Sequence, residues 1–392
     1  MTKARVLISG AGIAGPALAY WLSRGGYETT VVERAPALRE GGQAVDFRGP
    51  VHRAVLERMG IWDAVHRHRT TPGPLLLVDG DDEVRATLPE SMLSGDVEIL
   101  RGDLCRILYE QTRAATDYRF GDRIVGIEDR GDRVAVTFVN APAETFDFVV
   151  GADGLHSGVR ALAVAPEAGV IRHHGYRIAS FGTPNLLGKM GGAASFCDPG
   201  RGVCLTATSA TKGRALFVST GAPVGGDERD PQEQKQALAA RFAGMGWKVP
   251  QALEYLRDAS DLYVDAIATV HVDRYWKGRV VLLGDAAQGG TLGGQGTSIA
   301  IVGAYVLGHE VALGGHRDPA AAFARYEERI RPYAARCQQG AVRSGEFFAP
   351  RSPFGVWARN VLYGTLTSRA LGGTFERLVR AAASDFDLPA DA

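Results

Sequence analysis

Arg5-Val-Leu-Ile-Ser-Gly-Ala-Gly-Ile-Ala-Gly-Pro16, continuing to Val31-Val-Glu-Arg34, decides the fold of this 392-residue chain, because it reads as strand, turn, helix and second strand. Val6, Leu7 and Ile8 are a short apolar run that suits a buried parallel strand, and Ala14 to Arg24 carries helix formers with apolar spacing. Gly10, Gly12 and Gly15 fall where the strand turns into the helix. Gly10 permits the tight turn, Gly12 lets a pyrophosphate approach the backbone, and Gly15 lets the helix pack closely on the strand. From Ala14 onward the helix N-terminus faces the phosphates with free N–H groups. Glu33 ends the next apolar strand, where a carboxylate accepts hydrogen bonds from an adenosine ribose, and Arg34 follows directly. A glycine-rich turn alone says little; strand, helix and terminal Glu in register make it a dinucleotide site.

The length allows two or three domains, since single cores rarely grow beyond about 250 to 300 residues. Forty-four basic and 44 acidic side chains cancel. No global field then draws in nucleic acid or an anionic membrane, and neither is expected as a partner. Cys105, Cys197, Cys204 and Cys337 are scattered, with no Cys-x-x-Cys pair and no His at metal-ligand spacing, so they read as reduced and structural, with no metal site. The apolar stretch after Met1 is too short for a signal peptide and is needed as the first strand. No apolar run reaches the roughly 18 residues of a membrane span. A cytoplasmic monomer or weak dimer is the expectation.

Past Arg34 the chain crosses a glycine-rich stretch to Pro50 that places Gln43, Asp46 and Arg48 among small residues. It is either an ordinary loop or one whose polar residues touch a ligand. Residues 51–67 alternate apolar and charged positions at helical spacing around Gly60, giving two short helices. Residues 75–84 read as strand, turn and return strand. Arg101 opens an amphipathic helix, where a cation opposes the macrodipole; a bound anion would explain it better than the helix does. Three strands follow over residues 122–151. The last ends in Gly151-Ala-Asp153-Gly-Leu-His-Ser-Gly-Val-Arg160, a second glycine-rich strand end that delivers an Asp. Residues 170–270 are β-rich with one helical segment near 231–245, and Arg279-Val-Val-Leu-Leu-Gly-Asp285 returns to a buried parallel strand. Long helical patterns cover residues 296–313 and 319–343.

Three separated signals coincide: Gly10-x-Gly12-x-x-Gly15 with Glu33, Asp153-Gly154 after a strand, and Gly284-Asp285-Ala-Ala followed by Gly294-Gln-Gly296-Thr297 opening a helix. The triple resembles the single-component flavoprotein monooxygenases, the family of aromatic hydroxylases and tetracycline-inactivating oxygenases, over nearly the whole chain. The resemblance implies an α/β fold. A Rossmann-like FAD-binding domain (residues 1–70, 99–168 and 272–392, the last with C-terminal helices) interleaves with a β-rich substrate domain (71–98 and 169–271). It implies FAD, with Glu33 on the adenosine ribose, Arg101 near the phosphate or ribityl region, and Asp285 on the ribityl chain. The N–H groups of Gly296 and Thr297 would face the flavin pyrimidine edge, where a helix N-terminus stabilises negative charge. In such enzymes NAD(P)H reduces the flavin transiently, and O2 then gives a flavin hydroperoxide that hydroxylates a bulky aromatic or polycyclic molecule. The cofactor carries that chemistry, so no side chain is singled out as acid or base.

Two departures stand out. The family commonly has His where this chain has Gln288, and a Pro before Gly-x-Gly that is absent from a loop one residue shorter. Glycine makes that loop read as more flexible. A non-oxygenating flavoenzyme and a redox-silent binding protein therefore stand as rivals. The substrate wall is expected from the β-rich region and residues 75–94, with Phe181, Met190, Phe196, Phe217 and Met92 either lining it or filling the core. The nine His, including His173-His174, read as sheet, surface or wall residues.

Overall fold

The computed structural model describes residues 3–38, 42–71, 73–93, 95–221, 230–292, 296–314, 319–368, 372–373 and 386–389. It opens with β1 (Arg5–Ser9), α1 (Ala14–Arg24) and β2 (Glu28–Glu33), followed by β3 (Ala44–Phe47), α2 (Gly49–Arg58) and α3 (Trp62–Arg67). A hairpin of β4 (Leu75–Val78) and β5 (Val84–Leu88) leads through α4 (Glu90–Leu93) and β6 (Val97–Leu100) into α5 (Arg101–Thr112). Next come β7 (Thr116–Phe120), β8 (Ile124–Asp129), β9 (Val134–Phe138), β10 (Glu144–Phe146) and β11 (Phe148–Gly151). After a π-helical turn at Arg160–Val164 run β12 (Ile171–Pro184), β13 (Ala193–Asp198), β14 (Arg201–Ala207) and β15 (Lys212–Thr220). The helices α6 (Pro231–Phe242) and α7 (Val249–Leu256) precede β16 (Tyr263–Val270), β17 (Trp276–Lys277) and β18 (Val280–Leu282). The chain continues in α8 (Asp285–Gln288), α9 (Gly296–Ala312), α10 (Pro319–Phe348) and α11 (Pro353–Leu366).

Two large sheets organise these elements. Six strands run in the order β17-β18-β11-β1-β2-β7, with β18, β11, β1, β2 and β7 mutually parallel. Val6, Leu7, Ile8, Val149, Val150 and Val281 are fully buried, as strands covered on both faces require. The helix α1 buries Ala17, Leu18, Ala19 and Leu22 and packs on α9, which is itself apolar almost all round. Seven strands form the second sheet, β16-β12-β15-β14-β13-β4-β5, so the early hairpin joins strands over 80 residues later in sequence. Its pairings are antiparallel except β13 with β4.

Within the crossing between Arg34 and Pro50, β3 pairs with β6, so the stretch is partly sheet. Several elements were not anticipated, among them β6, β7, β13 and α7. The strands β6, β7 and β13 are short, carry charged or small residues and owe their pairing to distant neighbours, while α7 starts with Val249-Pro250 after a glycine-rich turn.

Candidate functional site

The turn after β1 is built as its glycines suggest. Gly10 has φ +108°, and a Cβ there would sit 2.5 Å from the Ala152 carbonyl oxygen at the end of β11. A Cβ on Gly15 would run into the Gly10 carbonyl and press on Ile8. Gly12 is different: the sole heavy atom near its absent Cβ is Arg101 Nη2, at 3.7 Å. The first two glycines let the chain pack, and the third leaves an open place beside a guanidinium.

Glu33 serves this turn directly. Its carboxylate accepts the Ala11 N–H at 2.9 Å and the Ala35 N–H at 2.9 Å, tying the end of β2 to the loop after β1. Two accepted bonds leave a carboxylate further lone pairs for a ribose, so bracing and ligand binding are compatible. Arg34 is exposed behind it.

Arg101 stands at the first position of α5, exposed, with no hydrogen bond or ion pair from its guanidinium among the described residues. Its backbone N–H donates to the Gln43 carbonyl at 3.1 Å, which places Gln43 against the helix start. Asp46 on β3 pairs with Arg48, whose guanidinium also donates to the Ser91 carbonyl at 3.2 Å. Ser298 of α9 donates to the Asp46 carbonyl at 3.4 Å, so this crossing is moored to the start of α9.

Asp285 begins α8 just after Gly284, which has φ +62°. Its half-buried carboxylate accepts no hydrogen bond among the described residues, and Oδ1 lies 2.8 Å from where a Gly296 Cβ would stand. Burial pushes its pKa up, opposed by the charge of Arg101 and reinforced by Asp265. Gly296 and Thr297 form the first turn of α9. Gly293, Gly294 and Gln295 lie outside the described residues.

The preceding loop is not the loose segment its glycines imply. Gly289 accepts from Val270 N–H at 2.9 Å, Thr291 N–H donates to Ala268 at 3.0 Å, and Gln338 of α10 donates to both the Val270 and Gly289 carbonyls. Through Thr291 it is a short extension of β16. The buried amide of Gln288, in the family's His place, has no hydrogen-bond partner among the described residues.

Asp153 braces its own loop: its carboxylate accepts from Ser9 Oγ at 3.5 Å, from the Ser157 hydroxyl and from Val159 N–H at 3.1 Å. Burial raises its pKa despite these bonds. Sequence reading passed over its neighbour Arg160. That side chain is fully buried and donates to the carbonyls of Ala286 at 3.0 Å and Leu155 at 2.7 Å, bolting the Asp153 loop to the Asp285 turn. A charged residue at the end of a glycine-rich strand end was the available signal.

Across the second sheet runs a row of directly opposed residues: Ala86, Leu77, Ser195, Cys204, Leu216, Ser180 and Tyr263. Tyr263, at its end, donates to Asp265, which faces His156 of the loop that Arg160 ties to the Asp285 turn. Phe181, Phe196 and Phe217 point the other way, packed with Phe242, Met245 and Val249 under α6 and α7. They are core, and much of the opposite pleat is too, packed with Phe347, Phe348 and Ala349. Met190 is exposed, and the Met92 side chain lies outside the described part.

The FAD binding domain family matches residues 3–341. An uncharacterised protein of Mycobacterium tuberculosis is 40% identical over 341 residues, covering 85% of this chain and 91% of the relative. A flavin-dependent monooxygenase from an unknown prokaryotic organism is 36% identical over 356 residues, covering 89% of this chain and 91% of the relative. The crystal structure of tetracycline destructase Tet(55) superposes with a TM-score of 0.81 at 32% identity, over 99% of both chains.

Proposed function

The chain belongs to the FAD-binding domain family, and from that membership we propose that it is an FAD-dependent, NAD(P)H-driven monooxygenase acting on a bulky aromatic or polycyclic small molecule. One atom of O2 enters the substrate and the other leaves as water. The observation that carries this reading is the open Gly12 turn beside Arg101, whose charge also acts on Asp285, two side chains without hydrogen-bond partners among the described residues. An unpaired guanidinium beside bare backbone suits a pyrophosphate, and a free carboxylate suits hydroxyl donors.

In this reading the backbone at Gly12 and Ala14 holds the pyrophosphate, Glu33 the ribose, and Asp285 the ribityl hydroxyls. Arg101 balances the phosphate charge, with Gln43, Asp46, Arg48 and Arg34 lining the crossing. Asp153 acts through its loop. Bound FAD supplies hydride acceptance and oxygen activation. The first turn of α9, with Gly296 and Thr297, would offer its positive end to the negative charge of reduced flavin, and the side chains around it would exclude water. The destructase likeness supports a polycyclic substrate. Four cysteines in the thiol form suit a reducing, cytoplasmic setting.

The test is direct. Denatured protein should release FAD rather than FMN, and turnover under 18O2 with NADPH and tetracycline as probe should place one labelled atom in the product. NADPH oxidation without label in any screened polycycle would favour a non-oxygenating flavoenzyme.

A further inference from the structure

A chain of hydrogen bonds runs from Tyr263 of β16 to solvent. The Tyr263 hydroxyl donates to Asp265 Oδ2 at 2.9 Å. Asp265 Oδ1 accepts from Ala266 N–H at 2.7 Å and faces His156 Nε2 at 3.3 Å. His156 Nδ1 faces Glu167 Oε1 at 3.2 Å. Asp265 is 12% exposed, whereas His156 and Glu167 are 32% and 48% exposed, so the chain ends at the surface.

The proton inventory gives this chain a direction. Both imidazole nitrogens of His156 face carboxylate oxygens, an arrangement that only the imidazolium satisfies by donating twice. The paired carboxylates raise its pKa to about 9, led by the hydrogen bond to Asp265. With His156 donating to Oδ1 of Asp265, its Oδ2 accepts the single Tyr263 proton. Burial, helped by Asp265, holds the Tyr263 pKa well above its usual value, so that proton stays in place. Away from Asp265 the phenol oxygen therefore offers lone pairs and no donor.

We propose that Tyr263 is a further flavin-contacting residue, which accepts a hydrogen bond from a hydroxyl or N–H group of bound FAD, and that Asp265 and His156 are the positioning residues that aim it. The assignment rests on the function proposed above. FAD is the ligand, rather than the substrate, because Tyr263 is linked through Asp265 to His156, whose loop is bolted by Arg160 to the Ala286 carbonyl beside Asp285, and the charges of Arg101 and Asp285 also reach it. On the neighbouring strand Arg177, opposite Ala266, lies against Gly221. Around His156 the charged groups are Asp265, Glu167 and, through Glu167, Arg160.

A pH signature follows. His156 supplies positive charge to a site that already holds Asp265 and Asp285 and must accept a pyrophosphate. When it loses its proton near pH 9, the local charge falls by one and an anionic ligand is held less tightly.

The experiment is FAD titration of the apo-protein by flavin fluorescence at pH 7.5 and pH 10, for wild type, Tyr263→Phe and His156→Gln. Tyr263→Phe should raise the Kd about three- to tenfold at pH 7.5, the range of one hydrogen bond. His156→Gln, a surface-side change that leaves the fold intact, should bind severalfold more weakly than wild type at pH 7.5 and match it at pH 10. A Tyr263→Phe Kd within twofold of wild type, or a His156→Gln protein that keeps the full wild-type pH step, would overturn the assignment. Wild type that binds no FAD at either pH would instead overturn the flavoenzyme reading, and this network with it.

Discussion

The glycine-rich turns after β1 and β18 end two parallel strands of the same sheet, yet one is built from within and the other from outside. In the first, Gly15 is demanded by Gly10 and Ile8 of the turn itself and Gly10 by its φ of +108°, with distant Ala152 only adding to the crowding at Gly10. In the second, Gly289 and Thr291 are held by Val270 and Ala268 of β16, with Gln338 of α10 clamping from behind. A turn explained by its own sterics can be read from twelve consecutive residues; one explained by partners 20 to 50 residues away cannot.

The largest effect that would break this contrast comes from the glycines. Gly15→Ala should cost about 3 kcal/mol or more of stability, because neither the Gly10 carbonyl nor the helix can yield. Gly12→Ala, facing open space, should melt within about 0.5 kcal/mol of wild type while weakening FAD at least about tenfold. Thermal melts of the apo-proteins check the first, and flavin titration checks the second. Equal melting temperatures for the two variants would show that the turn tolerates crowding and that its glycines serve only the ligand.

Glu33→Ala should come next. The carboxylate ties two backbone N–H groups as well as offering itself to a ribose, so its loss should cost about 2 kcal/mol of stability in addition to weakening FAD. From sequence alone the residue carries a ligand role only; the bracing role needs Ala11 and Ala35 to be seen beside it. If FAD affinity falls with the apo melt unchanged, the brace contributes nothing.

Much of the fold was legible for that reason. The opening βαβ unit, the two helices around Gly60, the hairpin at 75–88 and the helix at Arg101 all rest on local periodicity, and the structure has them. Among the elements that escaped, β6, β7, β13 and α7 are weak locally and gain their form from neighbours. The candidate site divides the same way. Arg101 stood out as a cation at a helix start and Asp285 through the family resemblance; that its carboxylate has no donor among the described residues emerges only from the structure. Tyr263, Asp265 and His156 sit in ordinary strand and loop sequence, and only the register of β16 and the fold of the 151–160 loop bring them together. The aromatic residues left open between wall and core prove to be core: alternate residues of one strand face opposite ways, and Phe181 and Phe217 face α6 and α7.

Asp285→Asn sharpens the comparison from the second turn. Burial raises the carboxyl pKa in the folded protein, so the folded state favours the protonated form. The resulting penalty is present above the folded pKa and vanishes as pH falls toward the unfolded value. The apo Asn variant should therefore melt higher than wild type at pH 8, with the gap closing toward pH 4. A gap that widens on acidification would place a hidden donor on Asp285.

The smallest effect is expected at the clamp. Gln338→Ala frees the Val270 and Gly289 carbonyls at a cost of about 1 kcal/mol, leaving FAD affinity nearly unchanged. The loop above the flavin should then be less well placed, raising H2O2 formed per NAD(P)H oxidised about twofold or more, since small misplacements cost disproportionately in a positioned reaction. An unchanged ratio would mean that β16 alone holds the loop.

The central claim is that Arg101 and Asp285 are free of protein partners because FAD is their partner. Equilibrium FAD titration of Arg101→Ala and Asp285→Ala apo-proteins, alongside their melts, tests it most directly. The account predicts that each variant melts no lower than wild type and binds FAD at least about tenfold more weakly, the loss of a charge-assisted contact. Wild-type affinity in both variants would contradict it.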